Sequence, residues 1–285
     1  MAKLSVSETT TFRWSFEEDV KNYAGAGIPS MGVWRQKLSD CEEARAISLL
    51  REHGLEVSHL FWAGGFTGSD GRSFRESVED AQEALRLAKR LGAGCLLVYT
   101  GTRAGHTYNH ARRLVRDALL ELVPLAENLD LAIAIEPMHP ACAGSWTFLT
   151  TLEETLMVLD MVGSPRVKMV FDTYHLGHSE GIVERIKELV PRVALVQLGD
   201  TRTTPTIEGN RCRLGEGTLP LADMIASFAS AGYDGYYDVE LLGEEFSQAD
   251  YPSVLLHAKE SFARLVGGAK ADSEGEPSSS VKPIF

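Results

Sequence analysis

Cysteine is scarce: Cys41, Cys95, Cys142 and Cys212 are dispersed through 285 residues, and no two form a CxxC pair. That argues against a disulfide framework and against cysteine-rich zinc ligation, and reads as reduced thiols in a cytoplasmic protein. No run of about 18 apolar residues offers a membrane span, and no basic-then-apolar leader opens the chain. Cations are outnumbered, 28 Lys and Arg against 40 Asp and Glu, for a formal net charge of −12. The deficit opposes a nucleic-acid partner, because phosphate binding relies on clustered Lys and Arg. GxGxxG is absent after the early strands, and no Gly-Lys-Ser/Thr follows the glycine-rich stretch from Gly64 to Gly71, so neither dinucleotide nor P-loop chemistry finds support. Gly-x-Ser-x-Gly does not occur either, and no histidine is placed to favour a serine triad.

An otherwise ordinary globular composition, 44% hydrophobic and 24% charged, carries a regular rhythm of strands and helices. Strand-like stretches fall at residues 3–7, 30–35, 55–62, 95–99, 131–136, 167–172, 193–197 and 235–240. Helical spacing fills residues 16–26, 74–91, 110–128, 152–162, 182–190, 221–231 and 251–265. A further helix runs from an N-cap at Asp40 to His53, and Gly54, Gly92 and Gly163 stand as helix stops. Eight alternations predict a closed (β/α)8 TIM barrel, an α/β fold, in a single domain over residues 1–266. Residues 267–285 turn to Gly, Ser, Pro and charge and predict a flexible tail, whose apolar end Pro283-Ile284-Phe285 offers a contact for a neighbouring subunit.

Four of the strands end on a side chain with a metal-compatible oxygen: Glu136, Asp172, Gln197 and Glu240. In a parallel barrel the strand C-termini converge on one face, so these groups meet there. Three carboxylates and an amide repel one another unless a cation or bound protons compensate them. A single Glu or Asp at a strand end is usually a helix cap or a solvated charge; four on consecutive strands are a stronger signal. The oxygen-rich, thiolate-free set suits a hard or borderline divalent cation, Mn²⁺ by preference, with Mg²⁺, Co²⁺ or Zn²⁺ as alternatives. Glu136 and Glu240 approach a bound molecule from different sides, one placed to remove a proton and the other to deliver one. That chemistry is proton transfer alpha to a carbonyl through a metal-bound enediolate, with isomerisation or epimerisation of a small polyhydroxylated substrate as the outcome. A lyase or dehydratase sharing the same first step is the second reading, and a non-catalytic sugar-binding barrel the third.

Around this set, His175 and His139 lie three residues beyond Asp172 and Glu136, and Arg202 follows Gln197; each is a candidate for substrate binding, against the plainer reading of a loop residue. His106, Asn109 and His110, with Arg112 and Arg113 behind them, suggest an anion subsite, or simply solvated charges at a helix start. Trp34, Trp62 and Phe66 form either an apolar wall for a sugar ring or packing beneath a loop. Strand alternation places Ala132, Ala134 and Glu136 on one side and Ile133 and Ile135 on the other. By the same count Lys168 and Asp238 point inward, where they would need partners.

Taken together, IEPMHP, FDTYHLG, VQLGD with Arg202, LGEG at Leu214–Gly217 and DVELLG resemble the sugar phosphate isomerase/epimerase group of the xylose isomerase-like TIM barrels, over about residues 3–265. That group includes hydroxypyruvate isomerase, inosose dehydratase and isomerase, ketose 3-epimerases and endonuclease IV. The resemblance implies one divalent metal, commonly manganese, on Glu136, Asp172, Gln197 and Glu240. It also implies an acid/base pair in Glu136 and Glu240, substrate contacts from His175 and Arg202, and a homo-oligomer, dimer or tetramer. Glutamine at position 197, where ketose 3-epimerases carry histidine, is similar to the hydroxypyruvate isomerase branch. The acidic charge disfavours the endonuclease branch, which leaves a small sugar-like molecule as the expected partner.

Overall fold

Period-two alternation sorts the strand residues into two apolar layers, and the sorting closes the sheet. In the computed structural model, which describes residues 2–144, 146–207 and 209–273, the strands are β1 (Lys3–Ser7), β2 (Ser30–Trp34), β3 (Glu56–Gly64), β4 (Cys95–Tyr99), β5 (Ala132–Ile135), β6 (Val167–Asp172) and β7 (Val193–Leu198). A short ribbon, β8 (Asp200–Thr201) and β9 (Arg211–Cys212), interrupts the series before β10 (Tyr236–Val239). Eight of them form a closed parallel barrel in the order β1-β10-β7-β6-β5-β4-β3-β2. Phe61, Cys95, Leu97, Ala134, Val170 and Leu195 fill its interior. Ile133, Ile135, Met169, Phe171, Tyr237 and Val239 face outward into the larger core beneath the helices. Small residues toward the axis and bulky ones outward are what the sequence pattern predicts for β5. Each fully buried Ile, Leu, Val or Phe contributes about 1.5–3 kcal/mol by leaving water, so a one-residue slip of any strand is costly.

Helix ends follow local rules. Ser15 and Ser73 open their helices with capping boxes completed by Glu18 and Glu76, which satisfies backbone N–H groups that have no partner within the helix. Gly54, Gly92 and Gly163 close theirs in the left-handed conformation. Three helix boundaries differ from expectation by more than one residue. Asp40 is not an N-cap: a four-residue helix, Arg35–Leu38, runs into a turn there, and the next helix is Glu43–His53, beginning after Glu42. The helix expected from His110 starts at Tyr108 because the Thr107 hydroxyl accepts the His110 N–H at 3.3 Å. The last helix extends over Tyr251–Ser273, past the expected stop at Leu265 and into the stretch read as a flexible tail. The remainder of that stretch, 274–285, with Pro283-Ile284-Phe285, lies outside the described residues. All four cysteines are free, and among the described residues no helix is long and apolar enough to cross a membrane.

Inside the barrel, a chain of polar groups links across the closing seam, with Asp238 Oδ2 and His59 Nε2 left buried without a partner among the described residues. Register sets Ser5 opposite Asp238, and the Ser5 hydroxyl donates to the Asp238 carboxylate at 2.6 Å. Ser5 also meets Ser58 at 2.7 Å, which in turn meets His59 Nδ1 at 3.0 Å. Asp238 therefore points inward as expected, but Ser5 rather than Lys168 is its partner. Burial pushes the Asp238 carboxyl well above its usual range.

His59 is fully buried against Gly32, where any Cβ would run into the imidazole. Burial lowers its pKa from 6.5 to about 3, so the ring is neutral in the fold and protonates readily only in the unfolded chain. The stability it contributes is full above about pH 6.5 and is lost as the pH falls toward 3. Between pH 7 and 5 the expected loss from this one residue is about 2 kcal/mol. Denaturant unfolding at the two pH values measures it, and His59→Gln should flatten the difference. Parallel pH responses in the two proteins would show that His59 carries none of it.

Candidate active site

Adjacent strands β5, β6, β7 and β10 bring Glu136, Asp172, Gln197 and Glu240 to one end of the barrel, all buried. Asp172 and Glu240 share Arg211: its Nη2 lies 2.7 Å from Asp172 Oδ2 and 3.0 Å from Glu240 Oε2, and Nη1 lies 3.2 Å from Asp172 Oδ1. The guanidinium rests over the Tyr174 ring, 4.3 Å from its centroid. Thr9 Oγ1 donates to Glu240 Oε1 at 3.1 Å, and the Tyr174 N–H donates to Asp172 Oδ1 at 2.7 Å. His175 Nε2 lies 3.6 Å from Glu136 and 3.9 Å from Asp172. The His139 N–H donates to His175 Nδ1 at 3.3 Å, which leaves the imidazole proton on Nε2, directed at the carboxylates.

These positions set distinct protonation behaviours. Burial, reinforced by Asp172 and Glu240, raises the Glu136 carboxyl well above its ordinary range, and only Arg211 opposes this. Burial also raises Glu240, with Arg211 and the Thr9 hydrogen bond acting against it. For Asp172, burial works upward, but Arg211, His175 and its hydrogen bonds outweigh it and hold the group below the usual carboxylate value. Burial lowers His175 to about 4, so it is a neutral donor. One guanidinium balances at most one of three carboxylates, and the set still calls for protons or a cation.

The donor chemistry fits a divalent metal. Ligand atoms of Glu136, Asp172 and His175 all lie within 4.8 Å of one another. The Gln197 side-chain oxygen is buried without any hydrogen-bond partner, a state that costs about 1–3 kcal/mol unless something accepts its lone pairs.

Not every residue singled out in the sequence joins this group. Arg202 lies outside it: with its side chain 53% exposed, it pairs with Glu216 and Glu245, each at 2.8 Å. The buried arginine at the carboxylates is instead Arg211, brought there by the β8–β9 ribbon. Asp200 anchors that turn-back by accepting the N–H groups of Gly215 at 2.9 Å and Gly217 at 3.0 Å, which accounts for the LGEG stretch. At Gly199 a side chain would collide with the Arg211 guanidinium. His139 is partly exposed and reaches His175 through its backbone. His106 stacks on His110, ring centroids 4.7 Å apart, on the loop after β4 and away from the cavities at the barrel mouth. Phe66 is core, whereas Trp34 and Trp62 line a cavity at the mouth. Thr9 and Trp146, which also border the site, carry no motif in the sequence, and Tyr174, although inside FDTYHLG, is not singled out there.

A cavity of about 300 Å³ opens onto Glu136, His175, Arg211 and Glu240. Residues 20–263 match the xylose isomerase-like TIM barrel family. Over 276 residues the chain is 22% identical to the inosose isomerase of Bacillus velezensis, covering 93% of this chain and 97% of that protein. It is 26% identical to a putative hydroxypyruvate isomerase of Streptomyces coelicolor over 270 residues, 87% of this chain and 89% of the other. Among solved structures, protein SMc04130 from Sinorhizobium meliloti superposes with a TM-score of 0.85 at 23% identity, over 92% of this chain and 98% of that one. On this breadth of match, the chain belongs to the xylose isomerase-like TIM barrel family.

Proposed function

We propose that the protein is a divalent-metal-dependent isomerase or epimerase that moves a proton alpha to the carbonyl of a small polyhydroxylated compound: a keto-sugar, an inosose or a derivative of one. The observation that carries this reading is the pair of buried carboxyls Glu136 and Glu240, facing one cavity from strands separated by β6 and β7. Two such groups on different sides of a substrate suit removal of a proton from one face and return to the other, the requirement of an epimerase. The names of the two curated relatives, an inosose isomerase and a putative hydroxypyruvate isomerase, agree with chemistry of this type.

Glu136, Asp172, Gln197 and Glu240 would hold the metal, with His175 beside them; the oxygen-rich set favours Mn²⁺. The bound cation would supply Lewis-acid stabilisation of negative charge on the substrate carbonyl oxygen. His175, neutral with its Nε2–H toward the cavity, donates to a substrate oxygen. Arg211 keeps Asp172 ionised and fixes the Glu240 carboxylate. Whichever of Glu136 and Glu240 starts deprotonated takes the carbon-bound proton, and the other gives one back.

Manganese-loaded protein, incubated in D₂O with a panel of keto-sugars, inososes and hydroxypyruvate, tests this by NMR. An isomerase or epimerase introduces deuterium at carbon adjacent to the carbonyl, with no group lost from the product. Departure of water or another group marks a dehydratase instead. Binding without exchange at any carbon would leave only a sugar-binding barrel.

A further inference from the structure

A second cavity, about 520 Å³, lies beside the catalytic one. Phe12, Trp34, Trp62, Tyr99, Trp146 and Leu242 dominate its wall, contributed by the C-terminal ends of β2 to β4 and by loops. Trp146 and Leu242 line both cavities, and Thr9, which lines the second, hydrogen-bonds Glu240. The two spaces therefore adjoin, sharing the Trp146 and Leu242 walls close to Glu240. Four of the rings form an unbroken belt, with Phe12 apart from it: Trp62 and Trp146 have centroids 4.4 Å apart, Tyr99 and Trp146 5.8 Å, and Trp34 and Trp62 6.2 Å. Phe12 and Trp146 remain 44% and 39% exposed, so aromatic surface is left uncovered at this mouth.

Among the described residues the wall has one cation, Arg35, and it is already engaged. Arg35 binds both oxygens of Asp80, at 2.8 and 3.0 Å, and the Trp62 carbonyl at 3.0 Å. Few polar partners are left for a run of hydroxyls or an anion. Ligand clefts usually measure roughly 300–1,000 Å³, so the catalytic cavity by itself already has room for a small carbonyl compound, and the aromatic cavity is additional. We propose that the substrate is a conjugate: its polyhydroxylated carbonyl portion lies at Glu136 and Glu240, and a flat aromatic substituent lies between Trp62, Trp146 and Phe12. This assignment rests on the reaction proposed above for the choice of sugar portion, but the aromatic preference is measurable without turnover.

The probes are D-fructose, 1-anilino-1-deoxy-D-fructose and turanose, a fructose bearing a second sugar, titrated into the full chain and followed by tryptophan fluorescence and calorimetry. Edge and face contacts to three or more rings should make the anilino compound bind at least about tenfold more tightly than fructose. Trp146→Ala and Phe12→Ala should each remove most of that ratio. Phe12 is half-exposed, so its variant carries the test if Trp146→Ala fails to fold. Equal binding of fructose and the anilino compound, including no binding of either, overturns the proposal. So does a preference for turanose, which would make the second cavity a sugar subsite, or a ratio unmoved in both variants. Glu240→Gln separates the two ideas: wild-type deuterium exchange with the anilino preference intact would sink the proton-transfer reading alone, and lost exchange with no anilino preference would sink the aromatic assignment alone.

Discussion

Glu240→Gln is expected to lower turnover by about 10²–10⁴-fold, the span usual for one positioned acid or base, while the barrel stays folded. Glutamine keeps the volume of the side chain and an oxygen to accept the Thr9 hydroxyl that Glu240 accepts at 3.1 Å. It cannot carry the proton, and it loses the charge that faces Arg211 at 3.0 Å. Glu136→Gln is expected to cost a similar factor, since its buried carboxyl faces the same cavity from the other side. Because the two act as one device, the double variant should be little worse than either single one. Deuterium exchange at the substrate carbon measures all three, with thermal unfolding run alongside. Wild-type exchange by Glu240→Gln would show that another group carries the proton.

Arg211→Ala is expected to destabilise the fold by about 3–5 kcal/mol, because it leaves two buried carboxylates without their shared cation. Arg211 is 4% exposed and touches Asp172 and Glu240 at once. Removing it leaves Glu136, Asp172 and Glu240 with no guanidinium among them. Manganese should restore part of the loss, since a cation at the same oxygens replaces the missing charge. Denaturant unfolding of wild type and variant, with and without Mn²⁺, reads both effects. A variant as stable as wild type would mean that the carboxylates hold protons and never needed Arg211.

The contrast between Arg211 and Arg202 shows where the sequence is informative. Glu136, Asp172 and Glu240 were legible because each follows an apolar strand, and strand ends in a parallel barrel share a face whatever the loops do. The inward side of β5 was legible because Ala132 and Ala134 alternate with Ile133 and Ile135. Arg211 was not, because its position depends on a non-local pairing: Thr201 opposite Arg211 in the ribbon folds the chain back by ten residues. Arg202, nearer Gln197 in sequence, is drawn outward by Glu216 and Glu245. The partner of Asp238 was hidden for the same reason, since Ser5 meets it only when the first and last strands close the barrel. Asp40 has the chemistry of a helix cap, but the short helix ending at Leu38 places it in a turn before Glu43. Trp146 lies in a loop with no periodicity to place it.

The claim on which the account depends most is that these strand ends grip one divalent cation. Calorimetric titration of the metal-stripped full chain with Mn²⁺ tests it directly. One site per chain is expected for wild type and none for Asp172→Ala, whose side chain lies within reach of both His175 and Glu136. Absence of binding to wild type, or equal binding to the Asp172→Ala variant, would contradict it.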